Sequence, residues 1–174
     1  MRRALLALVL VVTALSSGCG PRDPLDRVVS AESANALAMW RSQAAGSLNA
    51  ALLQDFDEAV KELKLAVMNN REATGTAAVE EAMRAKIHGR TLRDVLRLAW
   101  ESKIKRLEVD LSGLAIATEQ NERLVTRPGD GDSKNYLERF RLKQAERREA
   151  AERELKSAQE KLKALGAGTS APKQ

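Results

Sequence analysis

A single cysteine, a single histidine and a 3% share of aromatic residues set the first limits on this 174-residue chain. One cysteine excludes a disulfide within the chain, and one cysteine with one histidine excludes the ordinary Cys/His zinc spacings. The aromatic shortage leaves no platform on which bases could stack, so nucleic acid is not an expected partner. It also argues against β-sheet, which draws on aromatic and β-branched residues. The longest apolar run covers about a dozen residues, whereas a helix needs roughly 20 to span a bilayer. What the chain does have is Ala, Leu, Glu, Lys and Arg in abundance, with only 10 Gly and 4 Pro. These are strong helix formers, and the fold class to expect is all-α.

Arg2 and Arg3 precede the apolar run Ala4 to Leu15, and the small residues Ser16, Ser17 and Gly18 lead into Cys19. That is the three-part layout of a secretory signal; Ser16 and Gly18 would also satisfy a plain small-x-small cleavage site. The segment Leu15-Ser16-Ser17-Gly18-Cys19 resembles the lipobox of bacterial prolipoproteins, with Ser16 where that family usually has Leu and Leu15 one place earlier. The resemblance implies cleavage before Cys19 by signal peptidase II and diacylglycerol on the Cys19 sulfur. Residues 1–18 are then a signal peptide and Cys19 is the lipidation site. Gly20 stands where an aspartate would, in enterobacterial lipoproteins, favour the inner membrane. The resemblance thus implies the outer membrane, facing the periplasm. A protein held by several acyl chains keeps its polypeptide in water, so the remainder reads as a tethered soluble domain.

Residues 19–30, with Pro21 and Pro24 among charges, read as a tether, and Ser30 as an N-cap. Within 31–68, Leu37, Trp40, Ala44, Leu48, Leu52, Phe56, Ala59, Leu63 and Val67 recur at steps of three and four, which predicts one long helix. A second, short helix is expected at 77–88, aligned on Val79, Met83 and Ile87 and ended by Gly89 in a left-handed conformation. Thr91 and Asp94 signal a restart. The third helix, 92–125, carries Trp100, Ile104, Leu107, Leu111, Leu114, Thr118, Asn121 and Val125 as a heptad seam. Pro128, Gly129 and Gly131 make 126–133 a turn, and a fourth helix follows at 134–165 on a narrow stripe that includes Leu137, Phe140, Ala151, Leu155, Ala158, Leu162 and Leu165. Glu149–Arg153 and Glu152–Lys156 are spaced as i,i+4 pairs. Residues 166–174 read as a disordered tail. The expected architecture is an antiparallel helical hairpin or small helical bundle with coiled-coil character, the first helix lying against the upper part of the hairpin.

Loss of Arg2 and Arg3 with the leader lowers the formal net charge from +5 to +3. Residues 84–108 carry eight basic and three acidic side chains, and Lys134 onward carries eleven and six, whereas 109–133 is net acidic. A solvated mixed surface is the simplest reading. Contact with anionic lipid or an envelope polymer is the sharper one. Among candidate chemical groups, His88 stands at a helix end, where its charge would suit the dipole. His88-Gly89-Arg90-Thr91 is similar to the end of a phosphate-binding loop, but Arg84 and Arg90 occupy the places of the required Gly and Lys. Asp130 and Asp132 have the spacing of the first two ligands of a calcium loop, yet Lys134, Tyr136 and Arg141 occupy later ligand positions. They read instead as a polar turn in which Asp132 or Ser133 caps the last helix. Asp55, Asp57 and Glu58 read as an acidic patch on a helix surface, and Trp40 and Trp100 as core. No catalytic, cofactor or metal residue is expected, and no enzyme.

Around Ile87-His88-Gly89-Arg90-Thr91-Leu92-Arg93-Asp94-Val95, preceded by the Phe56 to Met68 helix, the chain is similar to small uncharacterised helical bacterial lipoproteins with a Gly-Lys/Arg-Thr element opening a helix. That likeness implies a membrane-tethered helical domain and transfers no catalytic residue. The functional expectation is a helical protein-interaction module of the envelope, with an envelope protein or a second copy as partner. The competing expectation is a structural or spacing role against peptidoglycan or anionic lipid.

Overall fold

The computed structural model describes residues 23–124 and 131–167. Five α-helices are formed among them: α1 (Ala34–Ala45), α2 (Ala50–Asn69), α3 (Thr76–Ile87), α4 (Leu92–Glu122) and α5 (Gly131–Ala167). Local chemistry accounts for most of their ends. Ser33 Oγ accepts from Ala36 N, Asn49 Oδ1 from Leu52 N and Thr91 Oγ1 from Asp94 N, each supplying an acceptor to an orphan amide of a first turn. The Thr91 hydroxyl also donates to Asp94 Oδ2 at 2.7 Å, tightening the restart. Gly89 adopts φ +73°, so α3 stops where the glycine permits a left-handed backbone.

The sequence and the structure part in the first third of the chain. The single helix expected over 31–68 is two helices, separated at Gly46-Ser47-Leu48-Asn49. Apolar spacing runs through the break, because Ala44, Leu48, Phe56 and Ala59 all reach the core. Gly46, a poor helix former, and the Asn49 cap divide it. Of the expected tether, residues 19–22 lie outside the described residues, and residues 23–30 belong to the folded unit. A 3-10 turn at Pro24–Asp26 is capped by Asp23, and Val28 pairs in an antiparallel bridge with Thr91. Val29 N donates to Arg90 O, Gly89 N to Val29 O and Leu92 N to Arg27 O. Val29 and Ala31 are buried, and Ser33 takes the capping role expected of Ser30.

Helix α4 is the spine. Helix α5 packs on it antiparallel, while α2 lies alongside it and α3 against α2. The pairs Glu58–Lys103 and Glu62–Arg106 advance together, so α2 and the upper part of α4 run in the same direction. The core gathers Phe56, Leu63, Met83, Ile87, Leu92, Leu96 and Trp100, with Trp40 tilted on Phe56 at 4.7 Å between ring centres. The fold is therefore the small all-α bundle expected from composition and spacing. Helix α4 ends at Glu122, short of the expected 125. Helix α5 begins at Gly131 instead of 134, so Asp132 sits inside the first turn instead of capping it, and it continues to Ala167, past the expected 165. Val125, Asp130 and most of the expected tail fall outside the described residues.

Candidate functional site

Charged groups lace together the head, the part of the bundle where α1, α2 and α3 share a core with the start of α4 and the end of α5, at the junction of α2, α4 and α5. Lys161 reaches back from α5 to Asp55 at 2.8 Å and Glu58 at 2.9 Å, with its ammonium 4.5 Å from the centre of the Trp100 ring. Glu58 also receives Lys103 at 2.7 Å, and Lys103 lies 3.4 Å from Glu154. Burial acts against both charges, yet the ammonium partners hold Glu58 below its ordinary 4.5, and Asp55 and Glu58 hold Lys161 above its ordinary 10.5. One turn lower, the buried Glu62 carboxylate takes a two-pronged contact from Arg106, at 2.8 and 3.0 Å. That hydrogen bonding raises the Arg106 pKa. The expected acidic surface patch is thus a structural clamp: Asp57 pairs with Arg41, while Asp55 and Glu58 bind across helices.

Below this clamp α2 ends and α4 continues, accompanied by α5. A groove of about 500 Å³ marks the step, lined by Glu62, Ala66 and Asn69 of α2 and by Lys105, Arg106 and Val109 of α4. Beyond it the hairpin is an arm two helices thick. Its seam follows the expected positions Leu111, Leu114, Thr118 and Asn121 on α4 and Leu137 and Phe140 on α5, joined by Gln144, which the stripe did not include; all are half-buried. No residue of α4 after Leu107, and none of α5 before Ala158, is fully buried. Large apolar side chains face outward instead, with Val109 66%, Ile116 55%, Tyr136 68% and Leu142 65% exposed. Two helices possess one seam, so an apolar residue outside it has nothing to cover it.

The arm is also polar at its heart. Thr118 Oγ1 donates to Leu114 O and Asn121 Nδ2 to Ala117 O, bonds made within α4 and not across the seam. Opposite them the Gln144 Oε1 is buried with no hydrogen-bond partner among the described residues, and a small gap of about 130 Å³ opens between these side chains, Arg141 and Arg148. Arg141 crosses to Asn121 O at 3.1 Å. On the outer face Arg153 meets Glu149 as the spacing predicted, but Glu152 turns to Arg148 instead of Lys156.

Cys19 lies outside the described residues, so its geometry is not on view. Trp40 and Trp100 are core, and Trp40 Nε1 donates to Val28 O at 2.7 Å. His88 stands at the end of α3, where its Nδ1 accepts from Ala31 N at 3.1 Å and ties that end to the N-terminal segment. Arg90 and Thr91 serve the bridge to the N-terminal segment. Sequence reasoning missed Glu62, Arg93, Arg106 and Lys161. Glu62 and Arg106 flank the apolar stripes of their helices, a weak signal that only helix adjacency turns into a pair. Among the described residues, no three His, Cys, Asp or Glu groups converge as a metal site, and no helix is long and apolar enough to cross a membrane. Comparison with protein-family models, with curated proteins and with solved structures finds no match for the chain.

Proposed function

We propose that this chain is a non-enzymatic lipoprotein of the bacterial cell envelope, anchored through Cys19 to the outer membrane and facing the periplasm, whose helical arm binds another protein. The observation that carries the reading is the arm itself, two helices thick with Val109, Ile116, Tyr136 and Leu142 turned outward. Such a surface gains by being covered, and helix-on-helix recognition covers it by setting apolar positions of one element against those of another. The leader and lipobox of residues 1–19 support the location.

Two measurements test it. Mass spectrometry of the membrane fraction is expected to find a mature protein starting at diacylated Cys19; any other start overturns the location. Cross-linking in whole cells followed by pull-down is expected to recover a defined partner, and a monomer with no partner under gentle extraction contradicts the interaction role. The spacing role is favoured by a different observation: from Lys134 to Arg148, α5 carries six basic side chains against Glu138 and Glu146. Salt-sensitive sedimentation with purified sacculi is the outcome that reading requires.

A further inference from the structure

One buried arginine ties both ends of the described chain to the start of the spine. Arg93, in the first turn of α4, donates to the Asp23 carboxylate, lies 3.5 Å from Asp26 Oδ1 and donates to the Leu165 carbonyl at 3.1 Å. The Val28–Thr91 bridge and the bond from Leu92 N to Arg27 O fasten the same segment. Asp23 is therefore fixed at the end of the head where α4 begins and α5 finishes. Cys19 precedes it by four residues, which reach at most about 14 Å whatever path they take. Helix α4 leaves that end and runs 31 residues to Glu122, about 45 Å.

Resting on the lipid-anchor reading, we infer that the end of the head bearing Pro24, Arg27 and Arg90 lies on the phospholipid surface and that the tip of the arm stands about 45 Å from that end. Asp23 and Asp26 are engaged by Arg93. Arg27, bonded to Ser47 and stacked on Trp40, and Arg90 form no ion pair with any described residue. This end therefore offers guanidinium groups to anionic headgroups. The basic first half of α5 lies at the far end. With the arm upright, its tip stands several screening lengths of about 8 Å from the anchoring leaflet, and what the arm meets lies away from that leaflet.

The test uses the full mature lipoprotein purified from membranes and reconstituted in phosphatidylethanolamine and phosphatidylglycerol vesicles that carry a headgroup quencher. With Cys19 acylated, Val28→Cys or Lys134→Cys supplies the one free thiol for a fluorophore, and both side chains are exposed. Quenching is expected to be several-fold stronger at 28 than at 134, where emission stays near its value without quencher. Equal quenching, or stronger quenching at 134, overturns the orientation. The intact mass of the same sample separates the two claims. Acylated protein with equal quenching overturns the orientation alone, whereas protein without acyl groups on Cys19 overturns the anchor and the orientation with it.

Discussion

The head and the arm share one helix, α4, whose heptad runs from Trp100 through both, yet they are held in different ways. Upper α4 buries Leu92, Val95, Leu96, Ala99 and Trp100 between α2, α5 and the N-terminal segment. Among the described residues lower α4 has only α5 beside it, and its seam residues stay half-buried. A heptad therefore specifies a seam but not the number of neighbours that share it, and burial follows the neighbours. The head is predicted to open only in global unfolding, whereas the arm opens locally.

Substitutions at equivalent seam positions probe that difference most strongly. Trp100→Ala is expected to cost about 3–5 kcal/mol. Leu114→Ala, at a half-buried position, is expected to cost about 1 kcal/mol; similar losses in chemical denaturation would erase the distinction. Next in size is Arg106→Ala, which strands the buried Glu62 carboxylate and is expected to cost about 3 kcal/mol. Arg123→Ala, removing an exposed pair with Glu119 in the arm, is expected to leave the denaturation midpoint unchanged.

Acidity probes the clamp of the head. The contribution of Glu58, whose pKa is lowered in the fold, is present above its ordinary 4.5 and is lost as pH falls through the depressed value. Lys161 has the opposite sign: its contribution is present below 10.5 and is lost as pH rises through the raised value. Thermal melts of the wild type and of Lys161→Met should therefore differ across the neutral range and converge at both extremes.

The smallest effects sharpen the view of the arm. Gln144→Leu removes a buried acceptor without a partner and is expected to stabilise by about 1 kcal/mol. Gly113→Ala adds a methyl group where nothing beyond its own stretch of helix lies within 4 Å and is expected to stabilise α4 by just under ~1 kcal/mol. Slower amide exchange in the arm would register both.

Helical class, the stop at Gly89 and the start at Thr91 were legible because they depend on neighbours in sequence. The heptad also revealed the hairpin, and with it the candidate arm. What the sequence hid is long-range. The docking of residues 23–30 rests on Arg93 and on the bridge to Thr91, and neither is visible before α4 and the N-terminal segment are adjacent. The break at Gly46 to Asn49 was masked because the apolar spacing passes through it. Asp55 and Glu58 seemed solvated because their partner, Lys161, is more than a hundred residues away.

A photo-crosslinking amino acid placed singly at Ile116 or at Met39, both exposed, in cells expressing the full chain decides whether the arm or the head is the interaction surface. A discrete adduct of constant mass is expected from Ile116 and none from Met39. The same adduct from both positions, or an adduct from Met39 alone, would contradict it.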